Sequence, residues 1–224
     1  FISKVTGNQI IKAGTLLMLG HSLDSIKKNT EYLNNSTKKI AIKKAIFPWT
    51  RFPAEDTMLG PEMKATGEVL GIGNNFGVAL NKAYSAAGVE INQNKKGVFV
   101  SLSDFEKPNF VEIIKTYIKL GFKIYSTEGT STYLNQNGIE TVLVGRADDI
   151  APTSLTIIED KLISLVINTP TFANEYTDGW KIRRLSHEIG VAVVSSVREA
   201  EAFLMAFKEK ENIFKDMEAI QNVS

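Results

Sequence analysis

Short apolar runs alternate with stretches of helical periodicity from Val98 to Lys208. Strands are expected at Val98–Leu102, Phe122–Tyr125, Thr141–Val144, Leu162–Ile167 and Val191–Val194. Between and after them, Phe105–Leu120, Thr130–Asn137, Pro152–Asp160, Trp180–Ile189 and Val197–Lys208 read as helices. Such alternation predicts an α/β fold, a Rossmann-like parallel five-stranded sheet with helices on both faces. In that architecture ligands sit outside the carboxyl ends of the strands, near the point where the strand order reverses. The strand ends are therefore where function is to be sought.

The first part of the chain is less regular. Gln9–Leu19 reads as a helix stopped by Gly20, and a polar, lysine-rich stretch follows from Lys27 to Lys44. Residues Ala45–Pro53 carry two prolines, which forbid regular helix and leave loop or edge strand. Leu59–Gly73 is glycine-rich, and Asn74 or Asn75 can cap a helix running to about Ala87. Gly71 and Gly73 before a helix suggest a dinucleotide fingerprint, but Gly77 falls one residue late and no clear strand precedes the turn, so that reading is rejected. The polar segment Gly88–Gly97 reads as a boundary, dividing the chain into residues 1–88 and 97–224. The charged stretch Lys208–Glu218 reads as a solvated terminal helix.

Composition removes several functions. With no cysteine and only two histidines, thiolate chemistry and multi-histidine metal sites are excluded, and no metal site is expected. Residues 1–95 carry 12 Lys/Arg against 7 Asp/Glu, and the remainder 14 against 18, so neither half is basic enough to suggest nucleic acid as a partner. There is no apolar run of about 18 residues and no signal-peptide pattern, which leaves no membrane association and a cytoplasmic location as the expectation.

The most suggestive strand end is Tyr125–Thr132. A strand-to-helix turn containing Ser126, Thr127, Gly129 and Thr130 directs backbone N–H groups and hydroxyls at one spot, suiting a phosphate-like anion. Its expected neighbours are Ser101, Ser103 and Lys107 after the first strand, Arg146 after the third, and Asn168 and Thr169 after the fourth. Hydroxyls, an amide and a guanidinium fit a phosphate or carboxylate. Few acidic residues except Glu128 are expected there, and no paired catalytic carboxylates, activated nucleophile or strand-end histidine, so no catalytic residue is assigned. Each of these residues also has a plain structural use, as a helix cap, turn or surface group; their convergence favours a binding site. His187 reads as a surface or packing residue, and Arg183 and Arg184 as ion-pairing residues or a subunit contact.

Three segments carry a resemblance: Phe1–Gly7, Arg51–Asp56 and Leu59–Gly71 are similar to the C-terminal part of the carbamoyl-phosphate synthetase large-subunit family. From about residue 97 the chain resembles that family's regulatory, methylglyoxal-synthase-like domain. The resemblance implies that residues 1–88 are the trailing end of the second ATP-grasp unit, a partial α+β segment. The unit's phosphate- and metal-binding residues are expected upstream of Phe1, so this chain is expected to be a fragment without synthetase activity. The parent activity implied is formation of carbamoyl phosphate from bicarbonate, glutamine-derived ammonia and ATP, for pyrimidine and arginine biosynthesis. The full-length enzyme is expected to use ATP with Mg2+ or Mn2+ and K+, whereas the fragment has no cofactor.

The family's effector-binding residues match Ser101, Lys107, Thr127, Thr130, Asn168 and Thr169, and Gly129 lies within the matched turn. Arg146 stands where a basic residue favours a phosphorylated effector such as UMP, IMP or phosphoribosyl pyrophosphate, with ornithine a further candidate. Pro170 replaces a second threonine found in some relatives, Glu128 adds a negative charge, and Ala54 stands where glycine is frequent. Implied partners are a glutaminase small subunit and further copies of the chain, through self-association of the regulatory domain. The competing function is a methylglyoxal synthase-type phosphate lyase, which needs a carboxylate and a histidine beside the phosphate site.

Overall fold

The computed structural model describes residues 1–28, 30–33, 38–52, 55–58, 61–89, 91, 97–150, 152–170 and 177–209. Four short helices come first: α1 (Ile2–Thr6), α2 (Ile10–Met18), α3 (Leu23–Lys27) and α4 (Thr30–Leu33). Strands β1 (Ile40–Ala45) and β2 (Glu68–Gly73) then pair antiparallel, with Ile42 opposite Gly71, and α5 (Phe76–Ala86) packs across them. Both strands depart from expectation. β1 spans the end of the lysine-rich stretch and Ala45, and β2 occupies the span read as glycine turn, so a strand does precede the α5 helix. The glycines are there for closeness: a Cβ on Gly71 would stand 2.1 Å from the Ala79 carbonyl oxygen, and one on Gly73 2.7 Å from the Ala79 nitrogen. Asn75 caps α5, accepting the Val78 N–H at 2.9 Å.

The remaining elements follow the predicted alternation: β3 (Gly97–Ser101), α6 (Lys107–Lys119), β4 (Lys123–Ser126), α7 (Glu128–Gln136), β5 (Val142–Leu143), α8 (Ser154–Glu159), β6 (Leu165–Asn168), α9 (Asp178–Glu188), β7 (Ala192–Val194) and α10 (Val197–Lys208). The five strands form a parallel sheet in the order β5-β4-β3-β6-β7. The central strands are buried on both faces, which is why they read as continuous apolar runs. On one face Val98, Val100, Leu165 and Ile167 meet Phe110, Ile114, Tyr117, Phe203 and Leu204 from α6 and α10. On the other, Phe99 and Val166 meet Ile157, Ile158 and Ile182 from α8 and α9. Each such side chain contributes about 1.5–3 kcal/mol by leaving water.

The two parts of the chain share a core. Leu80 of α5 joins the cluster around α6 and α10, and Asn81 donates to the Ala206 carbonyl at 3.1 Å. Gly77 allows this, since its Cβ would lie 2.6 Å from the Met205 carbonyl oxygen. In the expected boundary segment, residues 90 and 92–96 lie outside the described residues, as do 210–224 of the expected terminal helix.

Candidate functional site

Chain order runs β3, β4, β5 toward one edge of the sheet and β6, β7 toward the other, so the order reverses between β3 and β6. An open cleft of about 830 Å³ lies at the carboxyl ends of the strands there. Its wall includes Ser101, Thr127, Gly129, Arg146, Asn168 and Thr169. Six of the eight residues expected from sequence are thus brought together.

The loop after β3 is fixed from both sides. Leu102 donates its N–H to the Thr130 hydroxyl at 3.0 Å, and Ser103 donates its own to Thr169 Oγ1 at 2.7 Å. Thr130 is 1% exposed and stands behind the cleft wall, supporting the loop. Thr127 is the N-cap residue of α7, yet no side chain caps that helix; its hydroxyl lies 3.4 Å from that of Thr130. The first-turn amides of α7 therefore keep their donor capacity, with the positive end of the helix dipole behind them. Beneath the turn, Thr141 Oγ1 lies 2.9 Å from Ser126 Oγ and 2.8 Å from Ser131 Oγ, holding β4 and α7 in place.

Lys107 is buried beside this helix end rather than in the cleft wall. Its ammonium lies 3.6 Å from the position a Gly129 Cβ would take, 6.0 Å from the Tyr133 ring centre and 2.5 Å from Asp104 Oδ1. That bond holds the exposed Asp104 carboxyl below its ordinary range. Arg146, by contrast, projects outward: its side chain is 82% exposed, with Nε 3.8 Å from Asp178 Oδ2. Its backbone N–H donates to Asp149 Oδ2 at 2.7 Å, shaping the loop after β5.

The structure corrects the expectation of a cleft with few acids. Asp56, Asp149 and Asp178 line it together with Glu128. Each aspartate has a positive or donor partner. Asp149 accepts the Arg146 amide, Asp178 faces the Arg146 guanidinium, and Asp56 is paired with Arg183. Arg183, expected as an ion-pairing residue or subunit contact, does form an ion pair, but its place in the cleft wall was not expected. It is 5% exposed, lines the cleft, and donates Nη1–H to Asn168 Oδ1 at 2.6 Å. Its place follows from helical spacing: Gly179, Ile182 and Arg183 recur at i, i+3 and i+4 on one face of α9. The Ser154 hydroxyl was also missed; it lines the cleft fully buried, with no hydrogen-bond partner.

Arg184 points the other way, donating to the Phe52 carbonyl at 2.6 Å, the Trp49 carbonyl at 2.8 Å and Glu188 Oε1 at 2.7 Å. His187 lies against Trp49, ring centres 5.9 Å apart. Burial, reinforced by Lys44, Arg184 and Arg183, lowers its pKa to about 4. It is a packing residue outside the cleft wall, and so is not placed for proton transfer there. Among the described residues no three His, Cys, Asp or Glu are grouped to hold a metal ion, so no metal chemistry is derived from this site. No described helix is long and apolar enough to cross a membrane.

The chain is similar to several known proteins. Residues 109–195 match the MGS-like domain. The carbamoyl phosphate synthase large chain of Nostoc sp. (strain PCC 7120 / SAG 25.82 / UTEX 2576) is 36% identical over 221 residues, covering 99% of this chain and 20% of that protein. The carbamoyl phosphate synthase large chain, C-terminal section, of Aquifex aeolicus (strain VF5) is 36% identical over 221 residues, covering 93% of this chain and 41% of that protein. This chain thus spans less than half the length of these curated relatives. A crystal structure of methylglyoxal synthase from Elizabethkingia anophelis NUHP1 aligns with TM-score 0.39 and 15% identity, over 49% of this chain and 77% of that one. A likeness that remote carries no functional argument.

Proposed function

We propose, for a chain homologous along its length to the C-terminal section of carbamoyl phosphate synthase large chains, that the cleft is an allosteric site for a small phosphorylated effector. The observation that carries this reading is the meeting of the uncapped α7 N-terminus with Ser101, Thr127, Asn168 and Thr169 at the reversal of strand order. Hydroxyls, amides and the helix dipole favour a dianion, and the loosely paired Arg146 at the rim has donors to spare for it. The buried Ser154 hydroxyl supplies one more polar group without a protein partner. UMP, IMP and phosphoribosyl pyrophosphate fit this donor set; ornithine, a zwitterion, would draw instead on the cleft carboxylates.

In this proposal the parent protein is an ATP-dependent cytoplasmic ligase that makes carbamoyl phosphate from bicarbonate, glutamine-derived ammonia and ATP, for pyrimidine and arginine biosynthesis. It works with a glutaminase small subunit and requires ATP with Mg2+ or Mn2+ and K+. Residues 1–88 are then the end of an ATP-grasp unit and residues 97–224 the regulatory domain, which also mediates self-association. The chain alone is expected to make no carbamoyl phosphate. Effector occupancy acts on the synthetase through different affinities for its active and inactive states.

A phosphate lyase of the methylglyoxal synthase type is supported less well, because neither His21 nor His187 lines the cleft. Methylglyoxal formation from dihydroxyacetone phosphate separates the two functions. The main test is a thermal-shift panel with UMP, IMP, phosphoribosyl pyrophosphate, ornithine and N-acetylglutamate, since a ligand bound only by the native state raises Tm with concentration. Arg146→Ala should weaken a phosphorylated effector by about 1.5–3 kcal/mol, the worth of a charge-assisted bond. Unchanged affinity removes Arg146 from the site, and a panel without any shift removes the effector reading.

A further inference from the structure

The guanidinium of Arg183 is nearly closed to solvent, yet it belongs to the cleft wall and is held by a carboxylate from far away in sequence. Nε donates to Asp56 Oδ1 at 3.1 Å and Nη2 to Asp56 Oδ2, while Nη1 holds Asn168. The fork that meets both oxygens of Asp56 is the same donor geometry that meets two oxygens of a phosphate. Asp56 is the more open partner, its side chain 35% exposed and also in the cleft wall. Gly179 keeps the place clear, because a Cβ there would stand 3.0 Å from Nη1 and 3.4 Å from Asn168 Oδ1.

We propose that Asp56 is a tethered competitor for the anion that binds this cleft. Its carboxylate occupies the Arg183 fork, and an entering phosphate takes that fork over and frees residues 55–58 from α9. The proposal rests on the effector reading above and adds how occupancy leaves the cleft. A buried guanidinium without a counter-charge is strongly disfavoured, so Asp56 can leave only when another anion arrives. The exchange replaces one anion by another on Arg183 and leaves the neighbouring Asn168 beside it. Arg184 meanwhile keeps its bonds to the Trp49 and Phe52 carbonyls, so the displacement is confined to the stretch after that anchor. Binding in the sheet cleft is thereby converted into movement of a segment that precedes β2.

Titration calorimetry of the full chain with inorganic phosphate and with UMP tests this, comparing wild type with Asp56→Asn and Asp149→Asn. Removing the competitor should tighten binding at least about fivefold, the lower range of allosteric coupling. Asp149→Asn removes a cleft carboxylate that is not on Arg183 and should tighten binding distinctly less. In the wild-type chain, saturation with UMP should speed backbone hydrogen exchange at residues 55–58 and leave the Trp49–Phe52 stretch unchanged. Equal gains from the two variants, no gain from Asp56→Asn, or slower exchange at 55–58 would overturn the competitor while leaving the effector site standing. Should Asp56→Asn fail to fold, the wild-type exchange experiment decides alone. A wild-type chain that binds neither ligand overturns both proposals.

Discussion

The Thr130 hydroxyl accepts the Leu102 N–H at 3.0 Å, tying the exit of β3 to the first turn of α7. Both groups are buried, and water is not at hand to replace the bond. Thr130→Val keeps the shape and removes the acceptor, leaving a buried N–H unpaired. A loss of about 1–3 kcal/mol follows, whereas Thr130→Ser retains most of the stability. Urea unfolding midpoints at constant m-value measure the difference. Equal midpoints for the valine variant and wild type would show that the loop finds another partner.

Two glycines should respond in opposite ways. Gly71 lies in β2 with α5 so close that a Cβ would meet the Ala79 carbonyl at 2.1 Å and the Ala83 nitrogen at 2.5 Å. Both are backbone atoms, so Gly71→Ala must separate strand from helix, at a cost of about 3 kcal/mol or more. At Gly129 the added Cβ meets only Lys107 Nζ, at 3.6 Å, an ordinary contact. Gly129→Ala should leave Tm unchanged or raise it, because alanine is the better helix former. It should weaken phosphate binding by covering the first-turn amides. Tm and affinity measured on the same samples give the check, and lower Tm with unchanged affinity would refute the site role.

The contrast between these glycines also explains what was readable in advance. The parallel strands announce themselves because Val98, Val100, Leu165 and Ile167 are buried and the helices between them are amphipathic. Because β3, β4 and β6 run parallel in one sheet, the ends carrying Ser101, Thr127 and Asn168 lie along the same edge. β2 was hidden because the glycines that let α5 approach also resemble turn chemistry. The pairing of Arg183 with Asp56 was hidden for another reason: their bond spans 127 residues, and no local pattern names either as the other's partner. Lys107 and Thr130 lie one layer behind the cleft wall, since a sequence match does not say which way a side chain turns.

Arg184 fastens the Trp49–Phe52 stretch through the carbonyls of Trp49 and Phe52, while the Glu188 carboxylate on its own helix holds its guanidinium in place. A lysine brings a single point of charge to an arrangement built for a planar fork. Arg184→Lys should therefore destabilise the chain by about 1–3 kcal/mol as buried carbonyls lose their donors. Trp49, 8% exposed in the native chain, becomes wetter. A red shift of Trp49 emission in a Trp180→Phe background reports this, and an unchanged spectrum would mean that the aromatic contacts with Phe47 and His187 suffice to hold it.

The same contact predicts a pH response. Burial first, then the charges of Lys44, Arg184 and Arg183, lower the His187 pKa from 6.5 to about 4, with Asp56 acting weakly in the other direction. Between those values the unfolded chain holds a proton on this imidazole that the folded chain does not. The derivative of stability with pH is positive in that window. His187 therefore causes no loss above about pH 6.5, a growing loss as pH falls toward 4, and no further change once both states are protonated. His187→Phe preserves an aromatic ring against Trp49 and removes the titration. Its Tm should match wild type closely at pH 7.5 and exceed it increasingly as pH falls from 6.5 to 4.5, the carboxylates contributing equally to both proteins. Parallel Tm curves across that range would mean that His187 takes up its proton in the folded chain as readily as in the unfolded one.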